Sequence, residues 1–560
     1  MQKDMIRASY LDWLQKEEES KHEQVRAYRS YYEGDPPTVL NARMAEYLNL
    51  DRNKGYGINL CANIVDSVVE RLEVTGFTTA DNISTEPEVE DAVEEPEGES
   101  RLEVLDRILT GWWKANRMDA TQDWVHRSAL RDRESYVLIG WDDDEKRPLF
   151  THDYTYDGEA GVRVHYKDGS HREVEFASKR WIIQHKGKSQ RRLNLYFPDR
   201  IEKWITGTPA GSRVSELNWQ PFLDEDDPTT QEVEIEGKNG ALYRAAVSWW
   251  TDTGEQAGEP LGVPVIPFIN RDDGTGKGIS EIDNAIPIQD GVNKTYIDLM
   301  AAADLTGFGM YWTNGVLPAN LKIYPGAMIN VVAPEGEESA SASSIGTLPA
   351  GDLSGLIAFE EWQVSILAAI TKTPQSQFMG QRVMAAEGSQ KQDESALVKK
   401  VQGIQKIWGN GWEDVMQMGI KVSSAFGNSP LPDTTGITIS ANWADPQSRN
   451  EKDQAESLKI KHENLKVPKE QIWAEAGYSS EEIEKMLSMD DKEAEKRVQE
   501  ASVIEQGRNA NALEALGRAM GSKQQPAQEE QPREPAGAAG SPNGSDPFSK
   551  IAPAQSMSIF

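Results

Sequence analysis

The order of hydrophobic and polar positions changes rhythm several times along the chain. Over residues 4–32, Ile6, Tyr10, Trp13 and Leu14 recur at helical spacing, and Tyr28, Tyr31 and Tyr32 close the run before Gly34 and Pro36-Pro37. This pattern predicts one amphipathic helix. A second helix is predicted over 58–72 from the stripe Ile58, Ala62, Val65, Val69 and Leu72, and helix resumes across 101–132, including Trp112, Trp113 and Trp124. From Tyr136 the period falls to two. SYVLIGWDDDEKRPLF, GVRVHYKDGSHREVEF and KRWIIQHKG are β-branched and aromatic runs split by Asp/Gly turns, which predicts antiparallel strands. Further strands are expected at RRLNLYF, EKWITG and ALYRAAVSWW, and the β-rich region ends at GVPVIPFIN (262–270).

Helix then dominates. Ser280 with Asp283 three residues on is close to a capping box, Pro287 should interrupt after about two turns, and a longer helix should run to about 304. In it, Ile288, Val292, Tyr296, Leu299 and Ala303 sit 4, 4, 3 and 4 apart. Residues 307–352 form a Gly/Pro/Ser-rich insertion with strand-like pieces, GMYWTNG and AMINVVA. The next helix, 353–371, carries Leu353, Leu356, Ile357, Phe359, Trp362, Ile366, Leu367 and Ile370 on more than one face. Such a helix must be buried on both sides, and neighbouring subunits are a source of the second wall. Thr373-Pro374 stops it, QSQFMGQRVMAAEGSQ reads as a small-residue loop, and a long helix follows from about 387 to 426. Asp445-Pro446 opens a charged helical region to about 520. The last 40 residues, with six Pro and four Gly, hold too little apolar surface to order themselves. No internal repeat is present.

Composition narrows the function. At 560 residues several domains are expected. The formal charge is −32, from 91 acidic against 59 basic residues. Tight duplex binding neutralises phosphates with Lys and Arg, so most of this surface would repel DNA except at local basic spots. Cys61 is the single cysteine, which excludes an intramolecular disulfide and points to synthesis in a reducing compartment. The start, MQKDMIRASYLDWLQKEEES, lacks a secretory apolar core, and no stretch approaches the ~18 apolar residues of a membrane helix, so a soluble protein without membrane contact is expected. The segment 86–100 carries eight acids and no base and reads as a solvated linker.

Candidate chemistry is sparse. RDDGTGKGISEID (271–283) suggests a phosphate-binding loop, but the motif needs Gly where Arg271 stands and a hydroxyl where Gly278 stands. His152, Asp153 and Asp157 could touch a metal, yet strand alternation makes them ordinary exposed hairpin residues. Asp142-Asp143-Asp144 sits at a hairpin turn, where Asp is favoured for backbone reasons. No nucleophile elbow, zinc helix or CxxC pair is present. No catalytic, cofactor or metal site is therefore assigned. The enzymatic alternative is a carbohydrate-active hydrolase with paired carboxylates and aromatic platforms, though nothing fixes which acids would pair.

The order of elements carries more than any motif. The helical start ends in YYEG and leads to INLCANIVDSVVERLEVTGF (58–77). The β-rich middle ends in GVPVIPFINR and leads to GISEIDNAIPIQDGVNKTYID, then to a helix–insertion–helix unit, a loop, a long helix and a charged helical tail. Over about residues 1–510 the chain resembles the portal protein of tailed bacteriophages, in the branch common among phages of actinobacteria. The resemblance implies an α+β fold, mainly helical, with a β-rich wing, paired stem helices, a small α/β clip and a helical crown. It implies a homo-oligomeric ring, usually of twelve subunits, at one capsid vertex, with double-stranded DNA passing through without sequence specificity. The implied partners are the large terminase subunit, the major capsid and scaffold proteins and a head-completion adaptor. Carried over by position, 1–278 corresponds to the wing, 279–306 and 353–372 to the stem helices, and 307–352 to the clip, which pairs strands between neighbours with edges such as AMINVVA. By the same carry-over 373–388 is the tunnel loop, 389–445 the long helix and return to the wing, 446–520 the crown and 521–560 a disordered tail. Lys372, Gln381, Arg382, Val383, Met384 and Lys391 become the candidates that face DNA, and Leu356, Phe359, Trp362 and Ile366 the candidates for the subunit interface. Another ring-forming virion adaptor is the second structural alternative.

Overall fold

The computed structural model describes residues 2–19, 22–36, 57–81, 100–307, 311–314, 344–347, 352–379, 387–447 and short pieces between 458 and 489, apart from a few turn residues within these ranges. The chain divides into two compact units, 1–453 and 454–560. In the second, short helical pieces at 458–463 and 485–489 are described.

The first unit opens with α1 (Gln2–Glu19) and α2 (His22–Glu33), not with one helix over 4–32. The two serve different cores. Leu11 and Leu14 of α1 lie against the β-region, whereas Val25, Tyr28 and Tyr31 of α2 are buried elsewhere, and Trp13 of the expected stripe stays 56% exposed. Next, α3 (Cys61–Val69) is shorter than the predicted 58–72, because Asn59 turns its side chain onto the first amides: Oδ1 accepts from Cys61 N at 3.1 Å. The predicted helix over 101–132 is also two, α4 (Arg101–Ala115) and α5 (Met118–Asp132). Asn116 makes the break. Its amide bridges Trp112 O and Pro148 O, its Oδ1 accepts from Phe150 N, and Arg117 follows at φ 54°.

The β-region contains the expected antiparallel strands. Strands β2 (Glu134–Asp142) and β3 (Arg147–Tyr154) form a hairpin whose turn is closed by Asp142 Oδ1, which accepts from the amides of Asp144 and Glu145. A seven-stranded sheet follows, built on β4 (Gly161–Tyr166), β5 (Val174–His185), β6 (Lys188–Tyr196), β7 (Arg200–Thr206), β10 (Leu242–Trp249) and β9 (Gln231–Glu236) in that order, with β8 (Trp219–Pro221) on β7. The last strand, β11 (Val265–Ile269), returns to pair with β2. Strands β8 and β9 were not expected from the sequence, and neither was one further pairing. β1 (Val74–Asp81) pairs with β14 (Ile437–Trp443), with Phe77 opposite Ala441.

After β11 come α6 (Ile286–Gly307), α7 (Ser354–Thr371), the single turn α8 (Ser376–Met379) and the 40-residue α9 (Glu387–Phe426). Pro287 does not interrupt α6. It occupies the first turn, where its missing N–H has no intrahelical partner to lose. The expected capping box also fails: Ser280 Oγ donates to Arg131 O at 2.6 Å, and the Asp283 carboxylate accepts from Tyr28 instead. Between α6 and α7, β12 (Tyr311–Asn314) pairs with β13 (Ser344–Thr347). AMINVVA, the segment 86–99 and the tail 521–560 lie outside the described residues.

Helix α9 is the spine of the main core. Leu397, Val401, Ile404, Trp408, Trp412 and Val415 recur at helical spacing and meet α3, α4, α5 and the sheets β2–β3–β11 and β1–β14. His126 of α5 sits fully buried among Trp408, Trp412 and Trp443. Its Nδ1 lies 3.2 Å from Leu72 O, so that nitrogen carries the proton and Nε2 accepts from Trp412 Nε1 at 3.1 Å. Burial in this apolar box lowers the His126 pKa to about 3, and burial beside Arg131 and Arg29 lowers that of His152 to about 4. Both imidazoles stay neutral in the fold while the unfolded chain binds protons near pH 6.5. Their stabilisation is present above about pH 6.5 and is lost as pH falls toward the folded values, by up to about 1.4 kcal/mol per pH unit for each group. A melting temperature that does not fall between pH 7 and pH 5 would contradict this expectation.

Candidate functional site

Residues 57–60 and the start of α6 meet in a single joint. Tyr28 donates to Asp283 at 2.5 Å and Tyr31 to Asp290 at 2.8 Å, while Tyr32 reaches Asp66 on α3 at 2.8 Å. Burial, and then the carboxylate beside each phenol, raises the Tyr32 pKa to about 12 and drives those of Tyr28 and Tyr31 higher still, so all three are neutral donors. On α6, buried Gln289 imitates a strand. Its Oε1 accepts from Leu60 N at 2.9 Å and its Nε2 donates to Ile58 O at 2.5 Å, while Asn293 Oδ1 accepts from Ile58 N. Gly57, at φ 159°, lets the backbone come this close, since a Cβ there would lie 2.1 Å from Asn293 Oδ1. The start of α6 is thereby fastened to α2 and to the entry of α3.

Arg271 and Gly278, the two ends of the glycine-punctuated run, have packing roles. A Cβ on Gly278 would fall 2.2 Å from the carbonyl oxygen of Arg133, so no side chain fits there. Arg271, at φ 51°, directs Nη2 to Glu281 Oε2 at 2.6 Å. Glu281 is fully buried and also meets Lys400 Nζ at 2.5 Å and Asn270 Nδ2 at 3.1 Å. Burial pushes the Glu281 pKa up, but Lys400 and Arg271 outweigh it and the net shift is downward; burial draws Lys400 below the usual lysine range. Lys400 also donates to Thr371 O, the last carbonyl of α7, at 2.9 Å.

Helices α6 and α7 pack together through Thr295 Oγ1 and Gln363 Oε1 at 3.0 Å, and Gly291 allows the approach, since a Cβ would meet Gln363 Nε2 at 2.7 Å. One face of α7 is filled by Val364, Leu367, Ala368 and Thr371. The other is open. Phe359 is 46% exposed and Trp362 57%, their rings stacked at 5.6 Å, with Ile357 and Ile370 exposed beside them. Leu356 and Ile366 are half-buried at the border.

Of the residues singled out in the sequence to face DNA, Lys372 is exposed at the end of α7 in a left-handed conformation (φ 56°), with its N–H on Ala368 O. Lys391 belongs to α9. Gln381, Arg382, Val383 and Met384 lie outside the described residues. Reading by motif missed Glu281, Lys400, Gln289 and Asn293. Lys400 had a signal: it shares the buried stripe of α9 with Leu397, Val401 and Ile404. His152 bonds Ser135, Asp153 pairs with Lys179 and Asp157 with Arg29. Among the described residues no group of three or more His, Cys, Asp or Glu could hold a metal ion, and no helix is long and apolar enough to cross a membrane.

The body is mixed helix and sheet, and among the described residues α7 carries an exposed apolar face of the kind that marks an interaction surface. The profile of the family described as "Phage portal protein, SPP1 Gp6-like" matches residues 11–496, and the chain belongs to that family. It is 22% identical over 508 residues to the portal protein of Mycobacterium phage D29, covering 85% of this chain and 87% of that one. The portal protein of Mycobacterium phage L5 is 22% identical over 459 residues, with 77% and 78% covered. The protein therefore has the structural role of a phage portal, and the hydrolase and adaptor alternatives gain no support.

Proposed function

We propose that the protein forms a closed ring of twelve copies at one capsid vertex, assembled in the host cytoplasm and acting without catalysis of its own. Double-stranded DNA passes through its centre during packaging and ejection. The large terminase subunit docks on it first and a head-completion adaptor later, with the major capsid and scaffold proteins around it. In this reading α6 and α7 are the stem, 307–352 the clip, 373–388 the tunnel loop and 446–520 the crown. Lys372, Gln381, Arg382, Val383, Met384 and Lys391 then stand nearest the DNA. An acidic chain suits a conduit, since few phosphate contacts keep friction on the duplex low.

The observation that carries this reading is the open face of α7. Phe359 and Trp362 stay about half exposed in the isolated subunit, and a heterologous contact repeated by rotation closes a ring. Replacing both with serine is expected to change subunit stability by less than about 0.5 kcal/mol, while the assembled fraction falls at least about tenfold. Negative-stain microscopy and mass measurement of the full-length protein check this. Rings of wild-type mass from the double variant would remove α7 from the interface. A wild-type protein that stays monomeric at high concentration would defeat the ring itself.

A further inference from the structure

The end of α7 is held in an uncommon way. The last carbonyls of a helix lack intrahelical partners and usually face water or a glycine-based cap. Here the cap residue is Lys372 in a left-handed conformation, and both its N–H and that of Thr373 go to Ala368 O. Thr371 O instead receives a lysine from another helix, Lys400 of α9. A cation at this position also opposes the negative end of the helix dipole. The same ammonium meets Glu281, which lies between the exit of β11 and the start of α6 and is held by Arg271 and Asn270 as well.

This is an expensive arrangement by ordinary core standards. A buried ion pair is weak evidence for stability, since apolar residues of the same volume often serve as well. What it supplies is a fixed relation among parts that could otherwise slide, because charge and hydrogen-bond geometry allow few alternatives. The residues just beyond are tied too. Gln375 Nε2 donates to Ser365 Oγ at 3.1 Å, and Asn63 Nδ2 of α3 donates to Gln377 O of α8 at 2.9 Å.

We propose that Lys400 is the positioning residue for the root of the segment joining α7 to α9, coupling the end of α7 to Glu281 so that root, long helix and the β11–α6 junction move as one. Its importance for DNA passage rests on the tunnel-loop reading given above. The coupling itself does not.

Two measurements on the full-length protein separate these claims. The first is limited trypsin digestion of assembled rings, comparing the rate of cleavage after Arg382 with that after Lys179 and Arg180 inside β5. Lys400→Met is expected to raise cleavage after Arg382 about tenfold with the β5 sites unchanged. Glu281→Gln should act in the same direction but less, since the bond to Thr371 O remains, and Lys400→Arg should stay within about twofold of wild type. An unchanged rate after Arg382, or an equal rise at every site, overturns the proposal. If Lys400→Met does not fold, an unchanged Arg382 rate in Glu281→Gln overturns it equally. The second measurement counts DNA-filled heads made by phage carrying each variant. Fewer filled heads with Lys400→Met, restored by Lys400→Arg, extends the coupling to DNA passage. Normal filling despite faster cleavage after Arg382 keeps the coupling and overturns its link to the channel.

Discussion

Alanine in place of Glu18 is expected to remove about 3–5 kcal/mol of stability, because it strands a guanidinium in the protein interior. Glu18 supplies the charged part of the docking of α1 on the seven-stranded sheet, beside the apolar contacts of Leu11 and Leu14. Its carboxylate is buried and accepts from Arg180 Nε, from Ser178 Oγ at 2.5 Å and from the His165 ring at 3.0 Å. Burial alone would raise its pKa, but Arg180 first and then His165 outweigh that and bring it to about 2. Arg180 is 4% exposed, its Nη1 and Nη2 have no hydrogen-bond partner among the described residues, and a guanidinium cannot escape by losing its proton. Among the described residues, the rings of Tyr156 and Trp219, at 5.8 and 5.9 Å, would then face the charge. Denaturant unfolding of Glu18→Ala measures the loss, and a change below about 1 kcal/mol would show that the pair is not what holds α1. Glu18→Ala combined with Arg180→Met should recover much of it, since the stranded charge, and not the missing contact, carries most of the penalty.

A loss of similar size, about 3–5 kcal/mol, is expected for Trp412→Ala. The indole is fully buried at the middle of α9, against Phe268 at 4.7 Å and edge-on to Trp113 at 5.0 Å. Truncation opens a cavity where α4, α5, β11 and α9 converge, and it also deprives His126 Nε2 of its donor. Trp412→Phe keeps most of the volume and removes the N–H, so its smaller loss isolates the hydrogen bond. Equal effects of the two substitutions would mean that packing contributes little, contrary to what is expected.

Helix and strand were largely readable where the environment is uniform along an element. Most strands of the β-region and the span of α9 follow from the sequence pattern, whereas β8 and β9, three and six residues long, were not expected. Period failed where a single pattern serves two cores. α1 and α2 face different burial partners, and the split at Asn116 comes from side-chain bonds to Trp112 and Pro148. β1 and β14 escaped because their partners lie far apart in the chain and nothing local marks them. The open face of α7 was visible as excess apolar residues on a helix with one neighbour too few. Glu281 and Lys400 were hidden for the opposite reason: each is a charged residue in an unremarkable run, and only the fold brings them within 2.5 Å.

The pairing of Phe77 with Ala441 also sets a schedule. A ribosome adds about 5–20 residues per second, so β1 emerges on the order of 20–70 s before the strand that completes its ribbon. Helix α9, which seals the apolar faces of α3, α4 and α5, arrives almost as late. Until α9 and β14 emerge, the nascent chain must carry an unsealed hydrophobic surface on α3, α4 and α5, so these segments depend on residues made hundreds of positions later.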